Sequence, residues 1–361
     1  LGDKLNILVL MSGYPSENNL YNCSWAHTRN KYYIKNNINV DVLVFGNEED
    51  YVFEGVSVIN RAKAISRLNK KYYFKVVSHS PNIRNHIPFL SKYCLNIQKI
   101  LFMHGSESMW INFDYPKPYD FMKESFWKRW VRNTYDLFKF KVMRNFLEKN
   151  KNIDIVFVSD WMRAMFEKNV ISLKKLKVNF HIINNPLNYV FFERGFSGKT
   201  EKVADFITIR SFDLSKYAID LVLKMARNNP ANTFHLYGKG DYFNYYDLPE
   251  NVTVINSYLR QDDIPDVLNK YRAAIMPTRC DAQGVMVCEM ATFGIPVITS
   301  DITVNLEMFS DFDNVFLLDN SKEWDVINTK VLLDNFPSFM RNTSRFSNSK
   351  TLDKEIELLT K

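Results

Sequence analysis

The sequence has 361 residues, 46% hydrophobic and 24% charged; this is a globular composition, which excludes intrinsic disorder and leaves room for two domains. Its net charge of +7 is uneven, with 28 Lys and Arg against 16 Asp and Glu in residues 1–185 and a balance of −5 in residues 186–361. The apolar runs are strand-sized, too short for the roughly 18 residues of a spanning helix, and the basic residues form neither a helix-turn-helix nor an aromatic RNA-binding strand, so sequence-specific nucleic-acid recognition is not expected.

In chain order, "LNILVLM" reads as a continuous apolar strand, "SWAHTRNKYYIKNN" as a helix and "VDVLVFG" as the next strand. "FKVVSHS", "QKILFMHG" and "IDIVFVSD" follow, each an apolar run ending in Gly, Ser, Asp or His. Runs buried on both faces and alternating with helices predict a doubly wound parallel sheet. "ADFITIR", "TFHLYG", "VTVINS", "RAAIMP" and "IPVITSD" repeat the scheme, with helices in "YAIDLVLKMARNN" and "IPDVLNKY". The strand pattern lapses near "IINNPLNYVFFERGFSGKTEK", which places the boundary at residue 186. The expectation is an N-terminal domain over 1–185, a second over 186–345, and a terminal helix in 346–361. Two such sheets would create a cleft at the carboxyl ends of their strands.

Cys23, Cys94, Cys280 and Cys288 contain no C-x-x-C pair, and the histidines lack ligand spacing, so neither a disulfide framework nor a metal site is expected. A reducing cytoplasm fits best. The N-terminus shows no basic region ahead of an apolar core, so no secretory signal is expected.

"CDAQGVMVCEMATFGIPVITSD" (280–301) carries the chemistry. Gly284 opens a helix whose first N–H groups are unsatisfied, and a residue without a side chain lets an anion approach them. Asp281 precedes this helix and Glu289 lies more than a turn inside it. The pair can bind hydroxyls on different parts of one phosphate-bearing ligand, or can be a cap and a solvent-facing Glu. Arg210, at a strand end, and Lys216, at the next helix start, emerge on the same carboxyl-end face. They suit a diphosphate, or are two solvated loop residues. The segment 123–146 mixes Trp127, Trp130 and several Phe with Lys128, Arg129, Arg132, Lys139, Lys141 and Arg144. It reads equally as an interfacial membrane helix or as core.

In this order and spacing, "RSFDLSKYAID", "LYGKGD", "LNKYRAAIMPT" and "DAQGVMVCEMATFGIPVITSD" resemble the retaining nucleotide-sugar glycosyltransferases of family 4, which have the GT-B architecture. "ILVLMSGYPS", "FMHG", "IINNPLNYVFF" and "FSNSKTLDKEIELL" extend the resemblance over most of the chain. It implies two Rossmann-like domains facing each other across a cleft, with the last helix crossing back to the first domain. It further implies a nucleotide-diphosphate sugar as donor substrate, UDP-linked, and no required cofactor or metal. The acceptor would be a saccharide or lipid-linked saccharide of a bacterial surface polymer, met at the anionic inner face of the cytoplasmic membrane.

Residue by residue, Asp281 falls on the first carboxylate of the family's E-x7-E motif, facing the donor sugar, and Glu289 on the second, holding the ribose. Gly284, Val285 and Met286 match the backbone segment against sugar and diphosphate. Arg210 and Lys216 match the pair that neutralises the leaving group, and His104 matches the histidine beside the transferred sugar, although a lone strand-end His is also a common structural residue. Two departures stand out. Asp281 is shorter than the family's Glu, and the Gly-Gly pair after the first strand is reduced to Gly13. The following Asn18, Asn19, Tyr21 and Asn22 either grip an acceptor or form an ordinary loop. An inverting GT-B transferase, a sugar-nucleotide epimerase and an inactive nucleotide-sugar-binding scaffold are the alternatives.

Overall fold

The computed structural model describes residues 5–17, 19, 22–324, 328–329 and 340–361. The chain divides into two compact units, Leu1–Ile111 with Trp130–Pro186 and Phe346–Lys361, and Asn112–Arg129 with Leu187–Arg345.

The first unit opens with β1 (Leu5–Met11), α1 (Ser24–Lys35), β2 (Ile38–Val44), β3 (Tyr51–Phe53), β4 (Val56–Ile59) and α2 (Arg61–Asn69). It continues with β5 (Lys75–His79), α3 (His86–Tyr93), β6 (Gln98–Met103), α4 (Phe126–Lys149, of which the first unit holds the part from Trp130), β7 (Ile153–Phe157), α5 (Asp160–Asn169) and β8 (Asn179–Ile182). The eight strands lie in the order β3-β4-β2-β1-β5-β6-β7-β8. All pairs are parallel except the β3–β4 hairpin. Ile7 and Val9 of β1, Val77 of β5, Ile100 and Phe102 of β6 and Val156 of β7 share one core. These strands read as continuous apolar runs because helices cover both faces of a parallel sheet.

The second unit contains α6 (Val190–Glu193), β9 (Phe206–Ile209), α7 (Ile219–Asn228), β10 (Phe234–Tyr237), β11 (Val252–Ile255) and α8 (Ile264–Leu268). β12 (Ala273–Met276), α9 (Val285–Phe293), β13 (Val297–Ser300), α10 (Thr303–Phe309) and β14 (Val315–Leu318) follow. Its six strands are parallel, in the order β11-β10-β9-β12-β13-β14. α7 buries Ile219, Val222, Leu223 and Ala226 against Phe234, Ile275 and Trp324.

The final helix, α11 (Leu352–Thr360), packs in the first unit. Its Leu358 and Leu359 join the core of β1 and β6. Glu355, fully covered, accepts hydrogen bonds from Arg29 Nε at 3.0 Å and Tyr33 OH at 2.5 Å. Lys75 donates to the Leu358 carbonyl at 2.8 Å.

One segment departs from the expected domain 1–185. Residues Asn112–Arg129 pack with the second unit, because their aromatic side chains find partners there. Phe121 stacks on Tyr245 with ring centroids 4.7 Å apart, Tyr119 packs edge-on against Tyr242, and Tyr119 OH donates to Asp220 at 2.8 Å.

Candidate functional site

The order of the second sheet reverses at β9, which has β10 on one side and β12 on the other. At such a switch point the loops leaving neighbouring strands diverge and open a crevice at the carboxyl ends. The loop after β9 carries Arg210 and Lys216; the loop after β12 carries residues 277–284. Hydrogen bonds tie the two loops together. The Lys216 carbonyl accepts from Arg279 N at 2.8 Å and from Thr278 Oγ1 at 3.0 Å, and Arg279 Nη1 donates to the Ser215 carbonyl at 3.0 Å.

Arg210 is turned inward. Its Nη1 donates to the carbonyls of Tyr217 and Pro277, so part of the fork that the sequence assigned to a diphosphate clamps the two loops. Burial lowers its pKa to about 10, with Tyr217 and Asp281 opposing the shift, and its Nε is buried without a hydrogen-bond partner. Lys216 lies with its ammonium 4.7 Å from the centre of the Tyr217 ring. Burial acts to lower its pKa, but the neighbouring Tyr217 and Asp281 outweigh it and leave the ammonium raised above its ordinary value. Asp281 thus lies within electrostatic reach of both cations. Asp281 therefore sits among positive charge, whereas Glu289 lies apart from it, on the Asn188 amide.

The Asp281 carboxylate accepts from the amides of Ala282 at 2.8 Å and Gln283 at 3.3 Å, closing its own loop. It does not cap α9; the cap is Gly284, in the left-handed region at φ 70°. A Cβ at Gly284 would stand 3.8 Å from Asp281 Oδ2, so the carboxylate borders the helix start. Gly284, Val285 and Met286 are each partly exposed there, and the leading amides of a helix have no acceptor within it. Glu289 does not face solvent. It is 1% exposed, its Oε1 accepts from Asn188 N at 3.1 Å, and burial pushes its pKa up to about 7 against the opposing effect of that amide.

A ring of supporting residues surrounds the cluster. Asp220 takes two bonds from Arg279, at 2.8 and 2.5 Å, besides the one from Tyr119. Gly238, in the "LYGKGD" stretch, lets the chain pass against the Arg210 carbonyl, which a Cβ would meet at 1.8 Å. The sequence reading missed Asp220, Tyr119, Tyr217 and Asn188. The signal that could have found Asp220 is its partner Arg279, a cation two residues before Asp281 that the sequence reading passed over.

In the first unit, the sheet order reverses at β1, between β2 and β5. His104 follows β6 and bonds His79 Nδ1 through Nε2 at 3.1 Å, with its ring 4.4 Å from that of Trp25. Burial, assisted by Arg29, holds His104 well below the ordinary imidazole range, as burial does His79, so both rings are neutral near pH 7. Glu107 Oε1 fixes the turn by accepting from the amides of His104 and Gly105. Gly13 follows β1. A Cβ there would lie 2.6 Å from Asn22 Oδ1, so the amide of Asn22 fills the space that the missing side chain leaves. Asn19 pairs with Ser16 in a short bridge, and Asn18 and Tyr21 lie outside the described residues.

Among the described residues, no group of three His, Cys, Asp or Glu is placed to hold a metal ion, and no helix is long and apolar enough to cross a membrane.

Two parallel-sheet α/β units in one chain, with polar clusters at strand ends, are the architecture of the GT-B class, and comparison with solved structures agrees. A glycosyltransferase from Rickettsia africae matches with a TM-score of 0.66 at 13% identity, over 99% of this chain and 98% of its own. HepE of Anabaena, solved with UDP and glucose, matches with a TM-score of 0.64 at 13% identity, over 99% of each chain. WaaG, a glycosyltransferase involved in lipopolysaccharide biosynthesis, matches with a TM-score of 0.63 at 12% identity, over 98% and 99%. At these identities the likeness establishes the fold, which is GT-B. Residues 191–333, within the second unit, match the family described as Glycosyl transferases group 1. Comparison with curated proteins finds no match.

Proposed function

We propose that the chain transfers a sugar, with retention of configuration, from a UDP-linked sugar to a saccharide or lipid-linked saccharide during assembly of a bacterial surface polysaccharide. The observation that carries the reading is the convergence of Arg210, Lys216 and Asp281 at the β9–β12 switch point, with Asp281 bordering the start of α9. The match of residues 191–333 to Glycosyl transferases group 1 supports it, as do the UDP and glucose of HepE and the role of WaaG in lipopolysaccharide synthesis.

In this reading Lys216 and the leading amides of α9, at Val285 and Met286, hold the diphosphate as it leaves, where developing negative charge most needs stabilising. Arg210 braces the two loops and adds its charge from beneath. Asp281 and His104 orient the donor sugar, Glu289 receives the ribose, and Gly13 contributes backbone close to the substrate. The acceptor hydroxyl attacks from the face that the diphosphate leaves, without a covalent protein nucleophile. Catalysis takes place in the cytoplasm, at the inner face of the cytoplasmic membrane.

The test is a thermal-shift panel of sugar nucleotides, followed by NMR of the product anomer. A ligand that binds only the folded chain raises its apparent stability. UDP-sugars should do so more than nucleosides, and the anomeric configuration of the donor should persist in the product. Inverted product would assign an inverting transferase, isomerised donor without transfer an epimerase, and tight binding without turnover a scaffold. No response to any nucleotide would overturn the reading.

A further inference from the structure

His104 meets a second histidine that sugar transfer, as described above, leaves without a role. His79, at the end of β5, is 1% exposed, and its Nδ1 lies 3.1 Å from His104 Nε2. Its other nitrogen, Nε2, is buried and has no hydrogen-bond partner among the described residues. Phe102 and Trp25 enclose the ring, with centroids 4.5 and 5.2 Å away. Arg29 lies over the same two aromatic rings, its guanidinium carbon 5.4 Å from the centre of each. That cation is fixed in place: Glu355 Oε1 accepts from its Nε at 3.0 Å and Asn185 Oδ1 from its Nη2 at 2.8 Å. Two imidazoles and one guanidinium thus share an apolar enclosure in the first unit.

Proton balance fixes how the two rings are arranged. Each neutral imidazole carries one N–H, and the bond from Nδ1 to Nε2 needs one proton between them. If His104 donated, His79 would carry its own proton on Nε2, as a buried N–H without an acceptor. If His79 donates, its Nε2 is a bare lone pair. A buried N–H left without an acceptor is rarer in folded chains than an unused acceptor. The positive charge of Arg29, which acts on both rings, further favours a lone pair in the enclosure over a second N–H. His79 is then the donor, and His104, its Nε2 occupied, keeps its proton on Nδ1. His104 is partly exposed, and with Nε2 taken, Nδ1 is the ring nitrogen left for a ligand. We propose that His79 is a positioning residue that locks His104 in the Nδ1–H tautomer, so that His104 offers its ligand a hydrogen-bond donor and does not take a proton from it. On the sugar-transfer reading, on which this last step rests, His104 donates to an oxygen of the donor sugar and is not the base for the acceptor hydroxyl.

Long-range proton–nitrogen NMR of the full chain, labelled with nitrogen-15 histidine, reads the tautomer directly. It needs no ligand, so its outcome stands apart from whether the chain transfers a sugar. Loss of signals in His79→Asn and His104→Asn assigns the two rings. Both should carry the proton on Nδ1 at pH 7; a proton on Nε2 of His104, or a charged ring, would overturn the proposal. Turnover of a UDP-sugar gives the second readout. An Asn side chain places an amide nitrogen where Nδ1 of His lies, whereas Leu has no donor. His79→Leu should lose about tenfold in kcat, the worth of one hydrogen bond, with calorimetric affinity for UDP unchanged, and His79→Asn should recover most of the loss. Equal loss in the two variants, or a matching loss of UDP affinity, would leave His79 a structural role only and overturn the proposal. Should the Leu variant not fold, the spectrum of the parent chain still decides.

Discussion

Replacing Glu289 by Gln isolates the energetic consequence of burying a carboxyl group at the site. Burial moves its pKa from 4.5 to about 7. Below the lower value both folded and unfolded chains hold the proton, and the folded state keeps its full stability. Between the two values the unfolded chain ionises while the folded one does not, so stability falls as pH rises, and the loss is complete above the folded value. At 1.36 kcal/mol per unit the whole effect is about 3 kcal/mol, of which about 2 to 3 kcal/mol falls between pH 5 and pH 8. Gln cannot ionise, and its oxygen can accept the Asn188 amide that Glu289 now accepts at 3.1 Å. The stability difference, Gln minus Glu, should therefore rise by that amount over the interval, since every other titrating group is common to both proteins. Urea unfolding at both pH values, followed on the transition of the unit that bears Glu289, measures it. Parallel pH profiles would refute the reasoning.

Lys216→Ala should weaken binding of a nucleoside diphosphate at least tenfold and leave nucleoside binding nearly unchanged, as read by calorimetry; equal loss for both ligands would remove Lys216 from the phosphate site. Gly284→Ala should cost about 1–2 kcal/mol through the left-handed backbone alone, since the nearest neighbour of the new Cβ would be 3.7 Å away. Thermal unfolding measures the cost. Glu355→Ala should destabilise the first unit by about 3–5 kcal/mol, because it leaves the buried Arg29 charge without its carboxylate; a change below 1 kcal/mol in urea unfolding would mean that the pair contributes little.

Both sheets were legible because β1, β2, β5, β6 and β7, and β9 and β12 after them, are apolar runs bounded by loop residues. The β3–β4 hairpin was not. Its strands are short and lie at a sheet edge, and its turn places Glu54 and Gly55 at φ 43° and 83°, where Asn-Gly would have been the readable signal. That Arg210 and Lys216 follow β9 was plain from the sequence. The inward turn of the Arg210 guanidinium was not, because the Tyr217 and Pro277 carbonyls that hold it meet only in the folded unit. Glu289 was readable in retrospect: in "VMVCEMATF" apolar residues surround it on every side of the helix, so solvent has no face to occupy. Nothing local in 112–129 states which unit its aromatic residues join, since their partners near Tyr242 lie more than a hundred positions away.

The buried bond from Arg29 to α11 also carries a temporal consequence. A chain made from its amino end exposes the first sheet to the cell long before residue 355 is joined to it, so Arg29 and the groove for Leu358 and Leu359 wait through synthesis of the entire second unit. The half that is born first is the half that finishes last, and extensions fused to the carboxyl end will act on the maturation of the amino-terminal unit.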